Sequence, residues 1–568
     1  MRHHAGDRPW SRWLAAGLLI AAVVFVPTYG PSVGAATVNS VGVQLPPDAA
    51  PPSKQVLTLI GREGTYLDWS KTVQKGQWMP GLMSDPLVMQ DYNSDIKPLS
   101  ASRWSVSQDG RTWTFTLRPG LKWSDGAPLT AADFVYTIRR IANPETGFDV
   151  AWYFSAIKNF KDANEGKAKL EDIGTVAVNP TTLQITTTDP TPYLLMLLSD
   201  LYVVPEHIVA KAGDPWSQAP DTAVSSGPFK LASWERDKQL VFVANPQYAG
   251  IRKPYLERIV YKVGQDQSFF PAYLANEVDA IPWIYEGPLG PSDLARIQSD
   301  PRLKREAHVW PYFQTWWIAF GGDQTAFKDA RVRKAFAMAI DRDAIIKSVL
   351  RGMAVPAYGM LPPGFHCAQP ARLKDAQAYN PAAAKRLLAE AGFPDGRGFP
   401  KYDLDLRAAS PTIQAAGEAI QAMLKQNLGV DVGVQNLERK LFMDRLNKYD
   451  LPLVLIPWEY DYADASNFMN IYKSGGRHPW SNAEYDKAVM QANSTMGDAQ
   501  RCSMYRRAED MLARDPAAVF LWHPTVTQLW KPWVRGVINK TNKYGFVSWS
   551  RPSKADMPPF IYIGNDKP

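Results

Sequence analysis

A strand that ends in aromatic and acidic residues is the part of this chain best suited to bind a small solute. The apolar segment from Leu451 to Pro457 predicts a buried strand, and the sequence WEYDYAD, residues 458–464, follows it directly. Folds of the α/β class place ligands at strand ends. A carboxylate in a closed cleft can pair with a desolvated cation through charge-assisted hydrogen bonds. The cluster is therefore a candidate site for a cationic group.

Each residue of this cluster also has a structural explanation. Asp461 could be an exposed turn acid, because aspartate favours turns. Asp464 is expected to be a turn or helix-cap acid rather than a ligand contact, and Glu459 could be either. Three aromatic residues could wall a pocket or fill the core, since such side chains bury large areas anywhere. These residues are Trp458, Tyr460 and Tyr462.

Strands and helices alternate around this cluster, which predicts mixed α/β lobes. Residues 404–437, LDLRAASPTIQAAGEAIQAMLKQNLGVDVGVQNL, predict a strand, a helix ended by Gly429, and a second strand. This order is a βαβ unit. Arg407, near the end of the first strand, is a candidate to meet a ligand carboxylate, although a solvated strand-end charge explains it better.

A second informative block, FTLRPGLKWSDGAPLTAADFVYTI, spans residues 115–138. Apolar residues alternate from Trp113 to Leu117, which is the period of a half-buried strand. Thr130 can cap the helix that follows, and Asp133 places a negative charge in its first turn. The block therefore predicts a strand, a turn and an amphipathic helix.

This block resembles a segment of the family 5 extracytoplasmic solute-binding proteins, which are the peptide and nickel binders of ABC importers. The resemblance continues in the same order from Trp104 to Gly536. Four of the matching segments are VVPEHI at 203–208, SSGPFKLASWE at 225–235, FKDARVRKAFAMAIDRDAII at 327–346 and WEYDYADASNFMN at 458–470. The family usually has Gly-Thr-Gly where this chain has Ser225-Ser226-Gly227, and commonly a proline at Ala465. Residues before Trp104 match poorly.

The resemblance implies a two-lobed α/β fold of the periplasmic-binding-protein type II class, with an extra inserted region. The first lobe would be discontinuous, and the second lobe would be one stretch of chain. The implied division is a first lobe of residues 55–85, 205–310 and 525–568, an inserted region of 86–204, and a second lobe of 311–524. Ligand binding would close the lobes by a hinge motion.

The resemblance also implies roles for individual residues. In peptide-binding members, an aspartate three residues after a tryptophan takes the ammonium group of the ligand, and Asp461 and Trp458 match this pair. Gly227, Pro228 and Phe229 resemble a family loop near the cleft between lobes, where shaping the turn is the expected role. The implied function is capture of a peptide, or another amine-bearing solute, for delivery to an ABC permease. An oligosaccharide or a nickel chelate is the alternative within binding, and a secreted hydrolase is the remote one.

The N-terminus predicts export. Arginines precede an apolar run from Leu14 to Val26, which is shorter than the about 20 residues needed to span a bilayer, and small residues follow it up to Ala35 and Ala36. This pattern is a secretory signal, so residues 1–35 are expected to be removed and the protein to be periplasmic. The Pro-rich residues 36–54 are expected to form a flexible leader.

Composition excludes several other functions. The formal net charge of +7 comes from basic residues scattered along the 568-residue chain, so nucleic-acid binding is not expected. The hydrolase, phosphate-loop and metalloprotease motifs are missing from the sequence, and the histidines lack metal-ligand spacing. We therefore expect no enzyme, no cofactor, no metal site and a monomer. Cys367 and Cys502 could form a disulfide after export, or remain two buried thiols.

Overall fold

The computed structural model describes residues 37–71, 80–91, 93, 95–281, 289–321, 326–537, 540–541, 547–548 and 560–568. The predicted signal peptide, residues 1–35, lies outside these described residues. Of the helices in the described ranges, none has both the length and the apolar character to cross a membrane.

The strands are short except for β18, which is the longest in the described residues. In chain order they are β1 (Val56–Gly61), β2 (Val88–Gln90), β3 (Ile96–Pro98), β4 (Ala101–Val106), β5 (Thr112–Leu117), β6 (Thr175–Asn179), β7 (Thr182–Thr186), β8 (Phe229–Glu235), β9 (Gln239–Ala244), β10 (Arg258–Val263), β11 (Ala280–Ile281), β12 (Ala307–Pro311), β13 (Gln314–Phe320), β14 (Ala354–Pro356), β15 (Tyr402–Arg407), β16 (Val432–Leu437), β17 (Leu453–Glu459), β18 (Ala518–Trp530), β19 (Val534–Arg535), β20 (Lys540–Thr541), β21 (Val547–Ser548) and β22 (Tyr562–Ile563).

The α-helices lie between these strands. They are α1 (Pro80–Met83), α2 (Ala131–Ala142), α3 (Phe160–Asn164), α4 (Leu194–Leu198), α5 (Glu206–Ala212), α6 (Asp266–Leu274), α7 (Pro291–Ser299), α8 (Pro301–Glu306), α9 (Ala330–Ala339), α10 (Arg342–Ser348), α11 (Pro381–Glu390), α12 (Pro411–Leu428), α13 (Arg439–Asn447), α14 (Ala465–Met469), α15 (Ala483–Ser494) and α16 (Asp498–Arg514).

One sheet runs through both predicted lobes, in the order β16-β15-β17-β13-β18-β11-β1-β10-β9-β8. Strand β18 is shared: its first part pairs with β13 and β14, and its second part pairs with β12 and β11. The chain therefore crosses twice between the two halves of this sheet, once between β12 and β13 and once within β18. In the register, Pro311 pairs with Thr525 and Trp316 pairs with Trp522. These crossings coincide with the predicted lobe boundaries.

The predicted inserted region is built on a separate sheet of order β4-β5-β7-β6. Helix α2 covers this sheet, and its buried side chains include Phe134 and Ile138. The same core also contains Trp69 and Trp216, which the predicted boundaries assign to the first lobe. The indole of Trp216 donates a hydrogen bond to Asp68 at 2.8 Å, which joins these two segments, and Arg140 of α2 pairs with Asp68 at 3.1 Å.

Local sequence signals agree with these elements. Strand β5 alternates buried and half-buried residues, and α2 begins with a capping box in which the Thr130 side chain accepts from Ala132 N and Asp133 accepts from Thr130 N. The predicted βαβ unit is formed by β15, α12 and β16, with the two strands parallel. Gly429 ends α12 in the left-handed region at φ 73°.

The predicted flexible leader differs from the structure. From residue 37 onward this segment packs on the folded chain: Asn39 Nδ2 donates to the carbonyl of Pro254 at 2.7 Å, and Ala50 N donates to the carbonyl of Ile563 at 2.8 Å. The prolines suggested a linker, but distant backbone partners hold the segment in place.

Candidate ligand-binding site

The candidate residues lie at one edge of the large sheet. Strands β15 and β17 are parallel, with Leu406 opposite Leu455, so their carboxyl ends meet at the same edge. Arg407 ends β15 there, while Trp458 and Glu459 end β17. The four buried residues that begin β17 are followed by three half-buried ones, and the strand thus leaves the core where the candidate site begins.

Asn467 holds two of the candidate ligand-binding residues, Asp461 and Trp458, in place. Its Nδ2 donates to Asp461 Oδ2 at 2.8 Å, while its Oδ1 accepts from Trp458 Nε1 at 3.0 Å and from Asp461 N at 3.1 Å. Asn467 is itself buried on α14. Because one amide holds both side chains, the indole and the carboxylate have a defined orientation.

The carboxylate of Asp461 is also reached from the inserted region. The hydroxyl of Tyr153 donates a hydrogen bond to Asp461 Oδ1. Next to this bond, the rings of Tyr193 and Tyr462 stack with centroids 5.7 Å apart and an angle of 13° between planes. Trp152, half exposed, lies 6.5 Å from Trp458 between ring centroids. Aromatic residues of the insertion therefore face the end of β17.

Tyr460 and Tyr462 point to different surroundings. Tyr460 packs edge-on against Phe313 and Phe365 and belongs to the core of the second lobe, so its structural explanation applies. Tyr462 is buried in the core of the inserted region instead. The two tyrosines, two positions apart, therefore pack in different cores.

The Asp461 segment is anchored by a buried ion pair. Asp464 caps α14 through Ser466 N at 2.9 Å and pairs with Arg501 Nη2 at 2.8 Å, which agrees with its expected cap role. Burial opposes ionisation of Asp464, but Arg501 and His366 lower its pKa to about 2. The helix that carries Asn467 therefore begins at a fixed, charged cap.

A disulfide lies directly beside this anchor. Cys367 and Cys502 are bonded, with Cα atoms 4.9 Å apart across 135 positions of sequence. Their neighbour His366 accepts a hydrogen bond from Ala465 N at 3.2 Å and lies 3.3 Å from Asp464 Oδ2. Within the described ranges, His366 and the two cysteines are the only close group of metal-donor residues. Bonded sulfurs offer no thiolate, so this group fits a structural role.

Arg477 is the basic residue that sequence reasoning missed. Its Cζ lies 5.1 Å from the centre of the Trp458 ring. Burial, then the positive charge of Arg407, lowers its pKa to about 10, and Asp461 acts in the opposite direction. A basic residue seven positions after the end of the matched segment WEYDYADASNFMN has no local signal that ties it to Trp458.

Gly227 and Phe229 lie in the predicted first lobe and pack against its backbone and core. A Cβ at Gly227 would come within 2.7 Å of the backbone of Leu82 and Met83, so only glycine permits this close approach. Phe229 begins β8 and is buried in the first-lobe core. The close approach at Gly227 fits a role in shaping the turn, and for Phe229 this role stays a prediction.

Comparison with known proteins identifies extracellular solute-binding proteins as relatives of this chain. Residues 95–480 match the model of bacterial extracellular solute-binding proteins, family 5 middle. The periplasmic oligopeptide-binding protein OppA of Salmonella typhimurium is 32% identical over 465 residues, which covers 80% of this chain and 84% of that protein. The probable deoxycholate-binding periplasmic protein YgiS of Escherichia coli is 30% identical over 468 residues, covering 79% of this chain and 84% of its own length.

Solved structures of peptide-binding proteins share the fold of this chain. The unliganded open form of the periplasmic murein tripeptide binding protein MppA superposes with a TM-score of 0.76 at 27% identity, covering 91% of this chain and 99% of that structure. Haemophilus influenzae OppA in complex with the peptide RPPGFSPFR has a TM-score of 0.67 at 26% identity, covering 90% and 99%. Since the family model spans more than half of the sequence, this chain belongs to the bacterial extracellular solute-binding proteins of family 5.

Proposed function

We propose that this protein is the substrate-binding component of an ABC importer and captures a peptide, or another amine-bearing solute, between its two lobes. The observation that carries the proposal is the carboxylate of Asp461. Asn467 orients it, and it lies at the edge where the inserted region meets the second lobe. A half-buried carboxylate in such a position favours a cationic partner through charge-assisted hydrogen bonds.

The relatives support a peptide as the ligand. The OppA proteins are oligopeptide-binding by name, and the related Bacillus subtilis protein DppE, 27% identical over 555 residues, is a dipeptide-binding protein. Extended peptides can be held by main-chain hydrogen bonds and terminal charges, which leaves the side-chain pockets permissive. A binding role requires no turnover, and we propose none.

The hinge of this capture would lie at the two strand crossings. Both the β12–β13 connection and β18 run from one lobe to the other, and a few residues at such crossings can absorb the change in backbone angles. Trp316 and Trp522, whose rings stack 5.6 Å apart, lie at the second-lobe side of the crossing. In the closed form, a face of each lobe would meet the permease.

We also propose that the chain is exported through its N-terminal signal. Cleavage near Ala35 or Ala36 would release a periplasmic monomer, and intact-mass analysis of periplasmic material tests this directly. A membrane-bound product that retains Leu14 to Val26 would contradict it.

The ligand class is tested by mass spectrometry of small molecules that co-purify with the folded protein from the periplasm. We expect peptides or amines to be released when the protein is denatured. Recovery of a neutral sugar at one equivalent per chain would contradict it.

A further inference from the structure

The guanidinium of Arg477 is placed beside Trp458 without an ion-pair partner among the described residues. Its Nε is buried and has no hydrogen-bond acceptor, and its contacts are the Trp458 ring and Met443 Sδ, 3.7 Å from Nη2. A buried donor that lacks an acceptor is costly, because it has lost its hydrogen bonds to water. Arg477 therefore presents an unmet need for an anion.

A second cation increases this need. Arg407, at the end of β15, acts electrostatically on Arg477 and disfavours its charge. Like charges near one another repel, so Arg407 makes an anion beside Arg477 more favourable. Asp461 acts in the opposite direction, but burial, the largest cause, and Arg407 together still lower the pKa of Arg477.

The negative charges are grouped around the hydroxyl of Tyr153. After burial, Asp461 is the main group that raises the pKa of Tyr153, and Asp200 and Glu459 act in the same direction. Asp461 therefore acts on both Tyr153 and Arg477, while the other two acids act on Tyr153 and Arg407 acts on Arg477.

Trp458 contacts Arg477 directly and is linked to Asp461 through Asn467. Its Nε1 donates to Asn467, the residue that holds Asp461, and its ring faces Arg477. A ligand that lies along the indole and places its ammonium at Asp461 would bring its next residues to Arg477. An extended chain advances about 3.3 to 3.6 Å per residue. A carboxylate that reaches Arg477 must then be close to the amino terminus.

We propose that Arg477 selects peptides that carry a carboxylate within the first two residues from the amino terminus. This inference rests on the proposed peptide-binding function and adds a specificity to it. The carboxylate has two sources: the side chain of an acidic second residue, or the C-terminus of a dipeptide. The chemistry at Arg477 is the same for both.

The experiment compares four ligands by calorimetry. Alanyl-glutamyl-alanine amide against alanyl-glutaminyl-alanine amide tests the side-chain source, and alanyl-alanine against alanyl-alanine amide tests the C-terminal source. We expect the wild-type chain to prefer the carboxylate member of at least one pair by about tenfold or more, as for a hydrogen bond to a charged group. Whichever pair shows the preference identifies the source.

The variants assign the preference to the residue. Arg477→Gln should abolish it, and Arg477→Lys, which keeps the charge and guards against misfolding of the first variant, should retain part of it. Arg331→Gln is the matched control, because Arg331 is an exposed arginine paired with Asp329 on the second-lobe surface. It should leave the preference unchanged.

Two results would overturn the inference while leaving the proposed function intact. One is equal affinity of the wild type for both members of each pair, and the other is a preference that survives in Arg477→Gln. A wild-type chain that binds neither these four ligands nor any peptide of greater length would overturn the proposed function together with the inference.

Discussion

The hydroxyl of Tyr153 donates a hydrogen bond to the carboxylate of Asp461, although 308 positions separate the two residues in sequence. In the predicted division of the chain, Tyr153 belongs to the inserted region and Asp461 to the second lobe. Asp461 also accepts from Asn467, and a carboxylate has about four acceptor positions. A ligand ammonium can therefore join this carboxylate while Tyr153 stays bound, so the tyrosine would help to hold the closed form.

Tyr153→Phe should weaken binding of a short peptide by about 10- to 100-fold, because a hydrogen bond to a charged group contributes about 1.5 to 3 kcal/mol. Calorimetry on the variant and the wild type measures this change. Tyr562→Phe is the control, since Tyr562 donates to Asp48 at 2.9 Å in a different part of the chain. Equal losses in both variants would contradict the role of Tyr153.

Asp464→Ala should lower the free energy of unfolding by about 3 to 5 kcal/mol, because it leaves buried Arg501 without its carboxylate. Urea denaturation measures this loss. Asp498→Ala, at a carboxylate with 73% of its side chain exposed, should cost far less. A similar loss in both would show that burial of the pair is not decisive.

The same pair predicts an acid-sensitive contribution to stability. The pKa of Asp464 is lowered to about 2 in the folded chain from an ordinary value of 3.8. Its contribution is therefore full above about pH 4 and is lost as the pH falls toward 2. Denaturation of the wild type and of Asp464→Asn between pH 5 and 2.5 should show the difference between them shrinking. A constant difference would contradict this.

Glu509 predicts the opposite dependence at higher pH. Burial raises its pKa to about 7, so the folded chain holds a proton that the unfolded chain releases near 4.5. Stability should fall as the pH rises from about 5 to 7.5, by about 1 to 3 kcal/mol. Glu509→Gln can keep the 2.9 Å bond from Leu361 N and should remove this slope. Denaturation at both pH values tests it.

Loss of the disulfide should destabilise the chain without abolishing the site. Thiol titration of the denatured, unreduced protein should find no free thiol from Cys367 and Cys502. The double serine variant should lose about 2 to 5 kcal/mol of unfolding free energy, because a long loop is no longer closed. Two free thiols per chain would contradict the bond.

The local parts of this fold were predictable, and the contacts between distant segments were not. The capping box at Thr130 and the left-handed Gly429 are properties of a few neighbouring residues, so the sequence reveals them. The partners of the leader segment lie more than 200 positions away, and no local pattern indicates them.

The site divides in the same way. Asp461 and Trp458 stand in a matched motif, and Asn467 lies within the same segment, so the motif could have suggested it. Tyr153 and Arg477 meet that motif only after folding. Their roles follow from three-dimensional contacts that sequence spacing does not encode.

If Asp461 binds the ammonium of the ligand as proposed, calorimetry of Asp461→Asn should show it. The measurement uses a panel from dipeptides to pentapeptides, N-acetylated forms of the tightest binders, and an oligosaccharide panel. We expect acetylation and Asp461→Asn each to weaken peptide binding by a few kcal/mol, and their effects not to add, since both remove the same charge pair. Tight sugar binding that Asp461→Asn leaves unchanged would contradict it.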